Sequence, residues 1–325
     1  MTSAPLSAAA MTSAALFPKD YTGTAGQVGK AAQPPYDGMR ALIAGGGGDG
    51  SGKTSALSMS IGAWALPHPE KLKRGGEDAH FVGREAAGVA DGVGGWAQLG
   101  VDPGVYSREF MKGTETAITD IADMNPDDKP LAVLRQAHAH ANRAGRGSTT
   151  ACFAYLDAGG SSLKVANLGD SALFLIRRGK IAFKTPTQQH EFNFPYQIGS
   201  DASDTAEMAD IYDIAVSQGD ILVLGTDGLM DNVFDDDIVS IVWEAASEGR
   251  SPDEISQMLT LHAKSESMSE TGETPFSRHA QEAGRKFPGG KPDDITVVVC
   301  FCLPAQTVQD SAPPERPPDE PIPRF

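Results

Sequence analysis

Apolar and polar residues alternate through 57–65, with Leu57, Met59, Ile61, Ala63 and Ala65 in step, the period of a half-buried strand. Further strand-like apolar runs cover 86–90, 149–156, 163–168, 172–176, 221–224 and 295–302. Helical spacing appears at Val105, Phe110, Met111, Ile118 and Ile121, again at Leu131, Leu134 and Ala141, and later across 238–246 and 255–261. The strands come in consecutive groups interrupted by pairs of helices. That order predicts an α+β fold of two antiparallel sheets packed face to face with helices outside, rather than alternating βαβ units.

The two ends read differently. Residues 1–55 are rich in Ala, Ser, Thr and Gly without sustained periodicity, and are expected to be a disordered or targeting extension. The first acidic residue is Asp20, which suits an organellar transit segment; arginine is absent until Arg40, which does not. A mitochondrial or other organellar location is therefore the expectation, with the cytoplasm as the alternative. Residues 304–325 form a proline-rich tail, leaving 56–303 as the folded domain, and neither end is expected to add to the core. The longest apolar run, 295–303, is half the ~20 residues that span a bilayer, so no membrane span is expected.

Asp and Glu total 43 against 27 Lys and Arg, a net charge of −16, which argues against a nucleic-acid partner. The three cysteines, Cys152, Cys300 and Cys302, lie inside apolar runs with no CxxC pair, so reduced structural thiols are expected rather than disulfides or a zinc knuckle.

Part of the acidic excess sits in tight groups at the ends of apolar runs: Glu77-Asp78, Asp91, Asp227 and Asp293-Asp294. A carboxylate just past a buried strand is held by rigid backbone at the rim of a sheet, and several converging there make an oxygen-only site for hard divalent cations. In Asp91-Gly92 and Asp227-Gly228 the glycine allows a sharp bend and a close approach, so the Gly92 carbonyl could join the carboxylates. Asp157-Ala158-Gly159-Gly160 joins two apolar runs and reads as an ordinary hairpin turn.

The ordered series Gly76-Glu77-Asp78-Ala79, Val89-Ala90-Asp91-Gly92-Val93-Gly94-Gly95, Gly147-Ser148-Thr149-Thr150-Ala151, Asn167-Leu168-Gly169-Asp170-Ser171, Thr226-Asp227-Gly228-Leu229-Met230-Asp231 and Lys291-Pro292-Asp293-Asp294-Ile295-Thr296-Val297 resembles the type 2C (PPM) metal-dependent protein serine/threonine phosphatases. It is most similar to a compact branch carrying Asp-Gly-Val-Gly-Gly-Trp and a Gln-Gln-His segment, here Gln188-Gln189-His190. The resemblance implies an αββα sandwich with two Mg²⁺ or Mn²⁺ ions in a cleft between the sheet edges. It implies that Asp91 bridges the two ions, that Asp227 and Asp293 serve one, and that Glu77 and the Gly92 carbonyl serve the other. Asp78 would stand behind them orienting water, Asp294 would support Asp293, and Asp170 and Asp231 match positions associated with a third, weaker ion. The implied reaction is hydrolysis of phosphoserine and phosphothreonine in protein substrates by a hydroxide between the ions, without a covalent phosphoenzyme. A monomer is expected.

Two departures from the family pattern stand out. Val93 takes the place where many members have a histidine, so the leaving alkoxide needs its proton from water or another group. His80, expected to pack in a strand, and His190 are the candidates. Where a phosphate-binding arginine is expected four residues before Glu77 the chain has Lys73, followed by Arg74, and either could contact the substrate phosphate.

Two other readings compete with this one. Gly47-Gly48-Asp49-Gly50-Ser51-Gly52-Lys53-Thr54 satisfies the phosphate-loop pattern, but the alternating residues after it suit a strand rather than the helix such a loop must open. A phosphatase-shaped scaffold without turnover is the other alternative, against which stand all three of Asp91, Asp227 and Asp293.

Overall fold

The strands of the centre are buried on both faces, which is why they read as unbroken apolar runs. In the computed structural model, which describes residues 37–44, 56–120, 129–202 and 204–305, ten strands form two five-stranded sheets. They are β1 (Leu57–Leu66), β2 (Asp78–Val82), β3 (Ala86–Asp91), β4 (Ala151–Leu156), β5 (Ser162–Leu168), β6 (Ala172–Arg177), β7 (Lys180–Lys184), β8 (Asp210–Ala215), β9 (Ile221–Gly225) and β10 (Ile295–Pro304). One sheet runs β1-β10-β9-β6-β7 and the other β8-β5-β4-β3-β2, every neighbouring pair antiparallel.

Alternation along each strand divides the core into three layers. Leu173, Leu175, Leu222, Leu224, Val298 and Cys300 of the first sheet meet Val89, Cys152, Ala154 and Val165 of the second between the sheets. The other face of the first sheet, with Phe174, Val223, Val299 and Phe301, packs under α5 (Asp235–Ser247) and α6 (Pro252–Ser267). The other face of the second, with Phe81, Phe153 and Leu168, packs under α2 (Pro103–Asp120) and α3 (Lys129–Ala144). The expected sandwich with helices on both outsides is therefore present. Helix starts follow local chemistry: Ser251 caps α6 in a capping box with Glu254, with Pro252 at the first helical position. The three cysteines are buried free thiols, as expected.

The structure corrects the expectation that the flanking stretches add nothing to the core. Residues 37–44 form α1 (Asp37–Ala44), and Met39 is buried against the same face of the first sheet as α5, with Leu42 and Ile43 packed beside it. The spacing i, i+3, i+4 is a helical stripe too short to stand out from its Gly- and Ala-rich surroundings. Pro304, assigned to the tail, is instead the last residue of β10, paired with Leu57. Residues 1–36, the phosphate-loop-like segment, Ile121 and residues 306–325 lie outside the described residues. The element after the phosphate-loop-like segment is β1, a strand and not a helix, so the structural context of a phosphate loop is missing. Among the described residues no helix is long and apolar enough to cross a membrane.

Candidate metal centre

The register of β2 against β3 sets Asp78 directly opposite Asp91. Counting by twos from Val89, which packs between the sheets, both carboxylates belong to the inner face and stand at its rim. The backbone of Asp91 is pinned by the adjacent threonines. Its N–H donates to Thr150 Oγ1 (3.0 Å), and its carbonyl accepts from Thr150 N and Thr149 Oγ1 (2.9 Å each). At Gly92 a Cβ would lie 2.7 Å from the carbonyl oxygens of both Glu77 and Pro103, so only glycine fits.

The first sheet supplies the rest. After β9 comes Thr226, whose hydroxyl donates across the cleft to Asp78 Oδ2 (2.8 Å) and accepts from Thr296 N (3.1 Å). Asp227 opens a single-turn helix, α4 (Asp227–Met230), and Gly228 lets that turn lie against the backbone of Asp294, where a Cβ would collide with the carbonyl oxygen. Asp294 ties the segments together: Oδ1 accepts from His68 N (2.6 Å) and Oδ2 from Glu77 N (2.9 Å) and Lys71 Nζ (3.1 Å).

Three cations stand among these acids. Lys71 Nζ pairs with Glu77 Oε2 (2.7 Å) and Asp293 Oδ1 (3.1 Å), while Arg74 Nη2 reaches Glu77 Oε1 (3.3 Å). Lys291 Nζ lies 2.5 Å from Asp227 Oδ2, 2.8 Å from Asp231 Oδ2 and 3.6 Å from Asp293 Oδ2. Of the two basic residues expected at the phosphate, Arg74 is at the cluster and Lys73 is exposed. The turn Pro69–Arg74 is a 3-10 helix, whose three-residue period carries Lys71 and Arg74 to the same side.

The electrostatics show how crowded the acids are. Burial and then the charges of Asp227, Asp78, Asp293 and Asp170 push Asp91 well above the usual carboxylate range. Asp78 is raised by burial and by Asp294 and Asp227, against the Thr226 hydrogen bond. Asp170 is pushed up to about 7 by burial and by Asp227 and Asp231. Asp231 rises to about 6 through burial, although Lys291 pulls the other way. Burial also works to raise Asp293, but the ammonium groups of Lys291 and Lys71 outweigh it and hold that carboxyl below its ordinary value. Distant stretches of chain thus meet in one field.

Whether divalent ions suit this cluster can be asked of its oxygens. Among the described residues no three acidic side chains already converge as a ready ligand set, because Lys71 and Lys291 stand between them. Yet Asp78 Oδ1, Asp170 Oδ1 and Asp227 Oδ1 are buried with no hydrogen-bond partner. Buried carboxylate oxygens without a donor are costly, and an oxygen-only, strongly acidic set is what a hard divalent cation satisfies. The donor set fits such ions.

The acidic rim stands between the two sheets of an αββα sandwich, and comparison with known proteins shows which family shares that arrangement. A family profile described as stage II sporulation protein E (SpoIIE) matches residues 83–301. "Probable protein phosphatase 2C 55" of Arabidopsis thaliana is 43% identical over 76% of this chain and 52% of its own length. "Probable protein phosphatase 2C 26" of the same plant is 39% identical over 75% of this chain and 83% of its own. Among solved structures, the photosystem II phosphatase PBCP superposes with a TM-score of 0.68 at 37% identity, over 75% of this chain and 98% of its own. The chain belongs to the protein phosphatase 2C family. It spans about half the length of some of the curated relatives it matches.

Several residues at the centre were not singled out from the sequence. Thr149 and Thr150 belong to the 147–151 motif, yet their work of fixing the Asp91 backbone is visible only in the cross-strand geometry. From the Gln188-Gln189-His190 segment it is Gln189, donating to Asp170 Oδ2 (3.0 Å), that reaches the acids. His190 instead pairs with Asp204 (2.9 Å) and stacks on Tyr196, and His80 is exposed on β2. No signal marked Lys71, whereas Lys291 stood two residues before an expected ligand.

Proposed function

We propose that this chain is a protein serine/threonine phosphatase that uses two divalent cations, Mg²⁺ or Mn²⁺, held by Asp91, Asp227, Asp293, Glu77 and the Gly92 carbonyl. The observation that carries this reading is the set of buried, unpartnered oxygens on Asp78, Asp170 and Asp227 around Asp91. When bound, such a pair of ions supplies charge neutralisation for a phosphoryl group and acidifies water.

The chain's own residues do the remaining work. Arg74, with 40% of its side chain exposed, can turn a bidentate face to the phosphoryl oxygens from the mouth of the cleft. Asp78, fixed by Thr226 with one oxygen free, is placed to accept a hydrogen bond from attacking water. With Val93 after Gly92 and His190 engaged by Asp204, the leaving alkoxide takes its proton from solvent. A cavity of about 350 Å³ lined by Val93, Trp96, Leu99, Phe194 and Asp201 adjoins the rim and offers an extended peptide an apolar floor with an acidic edge.

The test is a metal titration of the chelator-treated full chain, assayed on a phosphoserine peptide and an aryl phosphate. Turnover of both should appear with Mn²⁺ or Mg²⁺ and vanish with chelator. Protein that binds manganese yet turns over neither substrate would point to the scaffold reading instead.

A further inference from the structure

Two of the acids at the centre each have one oxygen occupied by the chain itself. Asp231 Oδ2 accepts from Lys291 Nζ at 2.8 Å, and Asp170 Oδ2 accepts from Gln189 Nε2 at 3.0 Å. The same ammonium lies 2.5 Å from Asp227 Oδ2, so it bridges the pair of carboxylates at the two ends of the α4 turn. These two are four residues apart on one helical turn, close enough to share a single cation.

The position of that lysine is built rather than incidental. Its backbone is clamped on both sides by one side chain: Lys291 N donates to Asn232 Oδ1 and Asn232 Nδ2 donates to Lys291 O, each 2.9 Å. Asn232 is itself buried and fixed by a hydrogen bond from the same amide group to Gly228 O (2.9 Å), inside α4. Pro292 stiffens the chain immediately after Lys291. The ammonium end lies over the ring of Phe276, 5.3 Å from its centroid, and Phe276 N donates to the Asp231 carbonyl (2.9 Å), so ring, lysine and acid are locked in one arrangement. Only 15% of the lysine side chain is exposed.

We infer that Lys291 is a tethered cation occupying the place between Asp227 and Asp231, and that it limits the centre to two divalent ions by excluding one there. The inference rests on the metal centre proposed above. It separates Asp231 from the ligands: its carboxylate serves the lysine, while Asp227 keeps Oδ1 free for an ion on its other side. A fixed ammonium has a further consequence, since it neutralises one charge without depending on the concentration of free metal.

The test is the number of Mn²⁺ ions bound by the chelator-stripped full chain, read by equilibrium dialysis with elemental analysis. Wild type should bind two per chain, Lys291→Arg also two, and Lys291→Met, which keeps the length and loses the charge, three. Three ions on wild type, or two on a folded Lys291→Met protein, would overturn the inference while leaving the phosphatase reading intact. Should Lys291→Met fail to fold by circular dichroism, Asp231→Asn decides: unchanged at two supports the tethered cation, and loss of an ion overturns it. Wild type that binds no manganese would overturn the metal centre, and this inference with it.

Discussion

Asp91 and Asp157 make a controlled comparison. Each stands at the end of a strand of the same sheet, and each leads into glycine, but one becomes the middle of an acidic cleft and the other a hairpin. Asp157 Oδ1 accepts from the N–H groups of Ser161 and Ser162 at 2.8 Å, Gly160 takes the left-handed conformation, and β5 returns at once. Slight burial works to raise that carboxyl, but the donors from Ser162 and Ser161 outweigh it and hold it below its ordinary value. Asp91 spends its backbone on Thr149 and Thr150, and its carboxylate is buried and faces other carboxylates, so it moves the other way. An acid followed by glycine is therefore ambiguous until the next segment is known. A returning strand provides donors, and its absence leaves the charge for something else to satisfy.

The largest effect should come from removing the charge at the cleft. Asp91→Asn should lower kcat by about a thousandfold or more, the scale of losing a preorganised electrostatic partner. In metal-free protein at pH 8 the same change should raise Tm, by about 2–4 °C for each kcal/mol of repulsion relieved. Kinetics and calorimetry on one variant thus have opposite expected signs. A small rate loss, or a lower Tm in chelator, would put Asp91 in the same class as Asp157.

The glycines should divide the same way. At Gly228 a methyl group meets backbone, the Asp294 carbonyl, and neither partner can swing aside. Gly228→Ala should cost about 3 kcal/mol or more by urea denaturation. In the hairpin, the nearest atom to a Cβ on Gly159 is the end of the Asp157 side chain at 3.2 Å, so Gly159→Ala should change stability by less than about 1 kcal/mol. Equal costs would remove the distinction between a cleft turn pressed onto backbone and a free one.

A pH series sharpens the contrast without any mutation. Asp170 and Asp231 titrate near about 7 and about 6 in the folded chain against 3.8 ordinarily, so folded protein holds more protons than unfolded between these limits. Stability from these groups is present at low pH and is lost as pH rises through that window. Divalent cations bound in the same cleft repel those protons. The gap in Tm between manganese-loaded and chelated protein should therefore widen from pH 5 to pH 7.5, measured by differential scanning fluorimetry. A gap independent of pH would show that these acids do not feel the ions.

What could be read from the sequence depends on burial. Strands β4, β5, β6, β9 and β10 are covered on both faces and announced themselves as apolar runs. The strands passed over lie at sheet edges: β7 with Lys180 and Lys184, and β8, whose alternation of Asp210, Tyr212 and Ile214 with Ile211 and Asp213 shares polar residues between both faces. At the centre Glu77, Asp78, Asp91, Asp227 and Asp293 were legible because each lies at or within two residues of one end of an apolar strand. Lys71 was not, because its place depends on the 3-10 geometry of its turn, and counting back from Glu77 along the chain favoured Lys73. Gln189 was overshadowed by His190, the more reactive neighbour, which geometry directs toward Asp204.

Among the acids the smallest expected effect belongs to Asp157, and its sign with pH is what makes it useful. Asp157→Ala removes two backbone hydrogen bonds at a half-exposed turn and should cost about 1 kcal/mol at pH 7. Because the folded chain holds this carboxyl below 3.8, its contribution is present above that value and disappears as pH falls through the folded pKa. The stability difference between wild type and variant should accordingly shrink toward zero on acidification, the reverse of the trend for the cleft acids, while kcat with manganese stays within about twofold of wild type, as for a site remote from the reacting groups. A urea denaturation series carried from pH 7 downward through the acid range below pH 3.8 decides it. A difference that grows in acid would mean that this carboxylate, too, is held against repulsion rather than by its donors.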